Sequence, residues 1–414
     1  MFDVAQVRSQ FPALGREQDG RPVVIVDAPG GSQVPATVIE AMSRHLRRGV
    51  SNSGGAFATS RETDAVVAEA HRAGADLVGA DPGEIVFGPN STTLLIHLSR
   101  SFSRTLRPGD EVVVTRLDHD ANIRPWFRAA RDAGATVRWV DLRVEDATID
   151  EASFEAALTD RTRLVAFTLA SNGVGTVTPA ARLAARAKET GATVVVDGVH
   201  AAQHRAIDFP ALGADVLAVS PYKVFGPHIG MLAVRRELLD GWDPDRVRPA
   251  DEYEGGARWE TGTLNHEGLA GFTASVEYLS GCGRTYGDPA DDSRRAAITA
   301  AFDVFGEHER GLALRFLEGL TSISDHRLFG IAEPGLMDER TPTFAVRLGD
   351  QHPAKTAAAL GDRGIFVWDG HYYAIELFER LGLLTTGGAV RIGFCHYHTP
   401  GEVDRVLEAI GDLA

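Results

Sequence analysis

The sequence predicts an α/β protein, a mostly parallel sheet with helices on both faces, followed by a smaller α+β unit. Three observations carry that expectation. Between Glu62 and Val234, short runs rich in Val, Ile and Leu alternate with stretches of helical length. After about residue 285 the texture changes to one long helical stretch and then shorter mixed elements. Polar, chemistry-bearing residues gather just after the apolar runs, where ligands bind in sheets of this kind.

Taken in order, residues 1–25 read as a short helix from Val4 to Phe11 and the start of a strand at 22–26. A turn, Asp27-Ala-Pro-Gly-Gly-Ser-Gln33, leads to a helix that begins near Pro35. The Gly/Ser-rich stretch from Val50 to Thr59 is either a lip over a site or a connection between helices. A helix over 62–80 then precedes a strand at 84–87 and a helix from about Ser91. Strands follow at 111–115, 136–140, 163–169, 193–197, 215–219 and 230–234, with helices from about Asn122 and over 150–158 and 179–190. The last part has a helix from Arg294 to Thr321, strands near 327–330 and 343–347, and a helix over 353–363. A strand at 364–368, a helix over 374–383, a strand at 390–394 and a helix over 400–413 complete it. The expected organisation is an N-terminal segment (1–25) packing on the small unit, a large domain (26–285) and a small α+β domain (286–414). No internal repeat or low-complexity tract interrupts it.

Composition narrows the function classes. A chain of 414 residues with 44% hydrophobic and 24% charged residues is an ordinary globular protein. Its formal net charge of −15 provides no basic footprint for nucleic acid or an anionic membrane, although local donors can still hold an anionic cofactor. Two cysteines, Cys282 and Cys395, are too few for a disulfide framework and fit a reducing compartment. The N-terminus lacks the basic and apolar regions of a signal peptide, and no apolar run approaches the ~18 residues of a membrane span. A cytoplasmic location is expected.

The stretch Asp215-Val-Leu-Ala-Val-Ser-Pro-Tyr-Lys-Val-Phe-Gly-Pro-His228 places Lys223 in a compact turn at a strand end. Upstream, Val194-Val-Val-Asp-Gly-Val-His200 brings Asp197 and His200 to the end of another strand. The interval between Asp197 and Lys223 is long enough for one crossover and the next strand. An acid and a lysine so placed suit pyridoxal phosphate. The amine condenses with the aldehyde, and the carboxylate keeps the ring nitrogen protonated so that the ring accepts electrons from a substrate Cα carbanion. Three further strand ends add contacts. Ser91 and Thr92 in Gly88-Pro-Asn-Ser-Thr-Thr93 open a helix and offer donors to a phosphate, or serve as simple N-caps. His119 in Asp118-His-Asp-Ala-Asn122 can stack on a ring or cap a turn, and Asn172 in Ala170-Ser-Asn172 can reach a phenolic oxygen. His371, His396 and His398 lack a Cys or Glu at ligand spacing, so no metal is expected.

Together with Arg258-Trp-Glu-Thr-Gly-Thr263 and Val390-Arg391, these segments resemble the cysteine-desulfurase-like class V aminotransferases, fold type I pyridoxal phosphate enzymes, from about residue 20 to the C-terminus. The resemblance implies a mainly parallel seven-stranded sheet. It also implies catalytic roles for Lys223, Asp197 and His119. Lys223 forms the Schiff base, Asp197 pairs with the pyridine nitrogen, His119 stacks on the ring and Asn172 bonds its phenolic oxygen. Thr92, Ser220 and Tyr222 hold the phosphate, and His200 lies beside the ring or its phenolic oxygen. Thr263 reaches the phosphate of the neighbouring subunit, which implies a homodimer with shared sites. Arg391 clamps a substrate carboxylate through its planar guanidinium. Gly31, Ser32, His371, Tyr372 and Tyr373 line the substrate side.

One departure is informative. Where Suf-type desulfurases carry a catalytic cysteine after a Gly-His-His-like segment, this chain has Gly370-His-Tyr-Tyr373, with Tyr373 at the cysteine's place. Without that thiolate no enzyme persulfide is expected. The expected function is therefore chemistry at Cα of an α-amino acid. Cβ elimination with C–S cleavage or C–C bond formation leads, and an aminotransferase or epimerase is the alternative. A non-catalytic cofactor-binding protein is remote, because no basic helix-turn-helix accompanies the domain.

Overall fold

The computed structural model describes residues 2–414; Met1, the first residue of the predicted N-terminal segment, lies outside the described residues. Seven strands form the main sheet, in the spatial order Ile85–Gly88, Gly230–Val234, Val216–Val219, Thr193–Asp197, Thr162–Thr168, Glu111–Thr115 and Thr136–Val140. Neighbours among the last five are parallel. Gly230–Val234 is antiparallel to both of its neighbours. The cause is loop length: residues 220–229 are all that separate it from Val216–Val219, and a parallel return needs a crossover of a dozen or more residues.

The period-2 geometry of the strands divides their side chains between two cores. Val194, Val196, Leu217 and Val219 face one, and Val195, Val216 and Ala218 face the other. Both faces are therefore buried beneath helices, as the Val-rich runs predict. A third core lies in the C-terminal region, where Phe316, Phe344, Ile392 and Phe394 fill the space beneath a four-stranded antiparallel sheet. Its strand order is His326–Phe329, Thr343–Leu348, Ala389–Gly393 and Trp368–Gly370. Val24 and Val26 join that core, and Val24–Ile25 pairs in parallel with Ile365–Phe366.

Three elements differ from the sequence reading. The predicted 364–368 strand is two short strands serving different sheets, Ile365–Phe366 and Trp368–Gly370. The predicted helix from Val4 ends at Arg8. A 21-residue helix, His266–Tyr286, was not anticipated. Its apolar residues Leu269, Phe272, Val276 and Leu279 are interleaved with Gly268, Gly271, Gly281 and Gly283, which weaken the helical signal. Gly283 has a packing reason. A Cβ there would meet the Ala297 carbonyl oxygen of the helix Arg294–Leu320 at 1.7 Å.

Candidate active site

Main-chain geometry delivers the two reacting groups. Thr193–Asp197 ends with Asp197, and Val216–Val219 runs through Ser220 into a single 3-10 turn, Pro221–Lys223. The turn is closed by Lys223 N–H to Ser220 O (2.9 Å) and Gly226 N–H to Pro221 O (3.0 Å). Ser32 pins it from outside, donating to Tyr222 O (3.0 Å) and accepting from Phe225 N–H (2.8 Å). Gly31 lies against the Tyr222 ring, where a Cβ would come within 3.2 Å.

An inner cavity of about 150 Å3 opens between these strand ends. Ser91, Thr92, His119, Asn172, Asp197, His200, Ser220, Tyr222 and Lys223 all line it, so residues from five strand ends converge on one space. Lys223 is buried, and its Nζ has no hydrogen-bond partner among the described residues. Burial, and then the charge of Arg391, lower its pKa from 10.5 to about 8, against the opposing pull of Asp197 and Asp27. Burial raises Asp197 above the usual carboxylate range, and one of its oxygens accepts from Val199 N–H at 2.9 Å.

His119 is held by a neighbouring network that sequence reading overlooked. Asp118, fully buried, accepts from Asn122 Nδ2 (2.7 Å) and from the Thr115 hydroxyl; Asn122 in turn accepts from Trp126 Nε1 (3.1 Å). The signal was present as Asp118-x-x-x-Asn122, one helical turn apart. His119 Nδ1 accepts from Ala121 N–H (3.0 Å), which leaves Nε2 as the protonated nitrogen of the neutral ring. Burial, Lys223 and Arg391 push its pKa down to about 3, so the ring is neutral. Of the two sequence readings of His119, the structure shows the cap on the turn, and the same side chain lines the cavity.

Arg391, on Ala389–Gly393, donates from Nη1 to Asn172 O (3.1 Å) and from Nη2 to Asp27 Oδ1 (3.0 Å). Its guanidinium lies 4.4 Å from the Tyr372 ring centroid, and its buried Nε has no partner among the described residues. The Asp27 pairing was not legible in sequence.

The 370–374 turn covers this corner. Tyr372 and Tyr373 both have left-handed backbone, with φ of 52° and 58°. Their carbonyls accept from Asn172 Nδ2 (2.9 Å) and Asp120 N–H (2.8 Å) respectively. The Tyr372 hydroxyl is bonded to Ala389 O, whereas Tyr373 is 66% exposed with its ring 5.6 Å from His119. His371 is turned back into the same turn, its Nδ1 accepting from Tyr373 N–H (3.2 Å).

Other candidates lie elsewhere. Thr263 is exposed and lines an outer groove of about 760 Å3 that shares no residue with the inner cavity. His396 stacks on Phe305 (3.9 Å) and meets the Tyr278 hydroxyl at 2.6 Å, and His398 Nε2 bonds Ile25 O (2.8 Å). No group of three or more His, Cys, Asp or Glu with metal-site geometry occurs among the described residues. Cys282 and Cys395 are buried away from the cavity, and burial raises both thiols, Cys282 to about 11. Among the described residues no helix is long and apolar enough to cross a membrane.

Comparison with known proteins places this geometry. The family model described as aminotransferase class-V matches residues 24–291 and 294–406. The uncharacterized protein MT3887 of Mycobacterium tuberculosis (strain CDC 1551 / Oshkosh) is 33% identical over 414 residues, covering 100% of this chain and 99% of that protein. A cysteine desulfurase of Pectobacterium atrosepticum is 29% identical, covering 99% of this chain and 97% of its own. The apo structure of cysteine desulfurase from Thermococcus onnurineus NA1 superposes with a TM-score of 0.88 at 26% identity, covering 100% of this chain and 98% of its own.

Proposed function

The chain belongs to the class V aminotransferases, a pyridoxal phosphate-dependent family, and from that premise we propose that it labilises Cα–H of an α-amino acid and expels a Cβ substituent, with C–S cleavage foremost and no enzyme persulfide. The observation that carries this reading is one cavity holding a buried, unpaired lysine beside a buried carboxylate, with neither cysteine in its lining.

The residues present fit the cofactor. The cavity combines an amine without a partner, a carboxylate, a hydroxyl cluster at a helix start and an unpaired buried His200 Nδ1. When bound, the cofactor supplies an electron-accepting ring conjugated to the substrate nitrogen, which acidifies Cα. With the cofactor bound, Asp197 would hold a proton on the ring nitrogen, His119 would pack on the ring and Asn172 would bond the phenolic oxygen. Thr92, Ser220 and Tyr222 bind the phosphate, helped by the N-terminus of the 13-residue helix Ser91–Ser103. Ser91 positions this end by bonding Val219 O (2.6 Å) and Ser220 Oγ (2.8 Å).

Lys223 would hold the cofactor through its Nζ, and the same nitrogen would hold the proton exchanged with Cα; a pKa of about 8 for the free amine favours the first of these roles at neutral pH. Arg391 binds the substrate carboxylate, its free Nε offering a donor while Asp27 and Asn172 O hold the other two nitrogens in place. Tyr372 and Tyr373 roof the site and limit water. With a tyrosine at position 373, the leaving sulfur or other group departs free. The working unit in this proposal is a cytoplasmic homodimer in which Thr263 reaches the phosphate of the second copy.

A visible spectrum of purified protein with and without amino acids tests the reading. The absorbance band of lysine-bound cofactor is expected in the wild type and lost in Lys223→Ala. Substrates with a good Cβ leaving group are expected to release pyruvate and ammonia together with the expelled group. Accumulation of the amine form of the cofactor would favour transamination instead, and a protein that takes up no cofactor would overturn the proposal.

A further inference from the structure

A second cavity, of about 510 Å3, lies behind His200, its lining drawn from the 204–206 turn, the helix Arg294–Leu320 and residues 337–342. His200 Nε2 is 3.0 Å from the Thr341 hydroxyl and 3.1 Å from that of Thr343. His200 lines the inner cavity and Thr341 the second, so this hydrogen-bonded pair spans the wall between the two spaces. His204, whose ring centroid is 5.0 Å from that of His200, bonds Glu309 through Nδ1 at 2.8 Å.

This region concentrates buried polar atoms with no protein partner. His200 Nδ1, His204 Nε2 and Glu309 Oε1 all lack one among the described residues, and each residue is at most 4% exposed. Buried polar groups are almost always satisfied by protein or by ordered water, and a polar cavity of this size has room for several waters. His204 and Glu309 line it directly. The active site, meanwhile, is covered at Tyr372 and Tyr373 by hydrogen bonds to Asn172 and Asp120.

We propose that His200, Thr341, His204 and Glu309 form a proton conduit joining the active site, by way of water in the second cavity, to bulk solvent while substrate fills the mouth. The inference rests on the proposed Cα–H chemistry, which places a proton on Lys223 that must be exchanged or returned. In the outward direction, His200 Nδ1 accepts a proton from the active-site side. The Nε2 proton of His200 passes to Thr341 Oγ1 as the threonine hydroxyl, which donates to Gly175 O at 3.3 Å, turns to give its proton to cavity water. That water protonates His204 Nε2, and Glu309 stabilises the resulting imidazolium through the Nδ1–H bond before the proton leaves to solvent. One proton moves at each hop and no electrons are transferred. His200 is left with its proton on Nδ1, and inward passage of the next proton restores the first tautomer. Thr341, His204 and Glu309 are positioning residues, since none lines the inner cavity.

The test is exchange, not turnover alone. Holoenzyme in D2O is mixed with L-alanine and, separately, L-cysteine, and deuterium at Cα is followed by NMR beside the rate of Cα–H cleavage from Cα-deuterated substrate. In Thr341→Val and Glu309→Gln, deuterium incorporated per cleavage event is expected to fall roughly tenfold or more, within the usual range for losing a proton-transfer partner. The cofactor band and thermal midpoint should persist, and Thr341→Ser should restore exchange. A crystal structure is expected to show water bonded to His204 Nε2 and Glu309 Oε1. Wild-type exchange in Thr341→Val, or a second cavity without such water, would overturn the conduit alone. No Cα exchange in the wild type with either amino acid would overturn the proposed function and the conduit with it.

Discussion

Capture of pyridoxal phosphate by the stripped protein should follow pH with a midpoint near 8, the value to which burial and Arg391 bring Lys223. Only the unprotonated amine attacks the aldehyde, so capture quickens as pH rises through the midpoint and slows about tenfold per unit below it. Compared with an ordinary lysine at 10.5, the free-amine fraction at neutral pH is roughly three hundred times larger. The Arg391–Asp27 pair allows the sign to be tested in both directions. Arg391→Gln removes a cation and leaves Asp27 uncompensated, so the midpoint rises; Asp27→Asn leaves Arg391 unopposed, so it falls. A unit charge ~10 Å away at an effective dielectric of ~20 contributes about 1.7 kcal/mol, or roughly one pH unit in each direction. Stopped-flow absorbance over roughly pH 6 to 10 reads the midpoint directly. A wild-type midpoint above ~9.5, or variants that shift in the same direction, would refute the electrostatic reasoning.

Three further outcomes concern stability. Gly283→Ala forces a methyl onto the Ala297 carbonyl and should cost about 3 kcal/mol, read as a lower urea midpoint. Gly281→Ala in the same helix meets nothing within 4 Å and should instead gain about 0.5–1 kcal/mol. For His71, burial pulls the pKa down, but the hydrogen bond and charge of Glu260 outweigh it and hold the group above 6.5. Its contribution to stability is therefore full below pH 6.5 and lost as pH rises through the raised value. Thermal midpoints on either side of that window should show the loss in wild type and not in Glu260→Gln.

The parts of the site made from contiguous chain were legible in the sequence. Lys223, Asp197, His119 and Asn172 each follow their own apolar run, and a strand end needs no distant partner to be recognised. What escaped was pairwise and remote. Arg391 and Asp27 meet across 364 positions, and nothing in the Asp27-Ala-Pro-Gly turn distinguishes an ion pair from a capping group. Ser32 looked like a substrate-facing hydroxyl, yet its bonds go to Tyr222 and Phe225 in the lysine turn. The direction of Gly230–Val234 was hidden for a different reason. A strand buried on both faces has the same composition whichever way it runs, and only the short loop before it settles the direction.

The turn at 370–374 is fastened by the main-chain oxygens of Tyr372 and Tyr373 and, at Tyr372, also by the hydroxyl on Ala389 O, whereas the Tyr373 ring makes no hydrogen bond among the described residues. At Tyr373, therefore, the fastening and the side chain are separate parts of one residue. A lineage can exchange the exposed Tyr373 ring for another group while the fastening survives. The constraint that remains is conformational: left-handed backbone at both positions admits glycine and asparagine readily and excludes β-branched residues. Change in this turn should accordingly be concentrated in the side chain at 373, with the shape of the turn held constant.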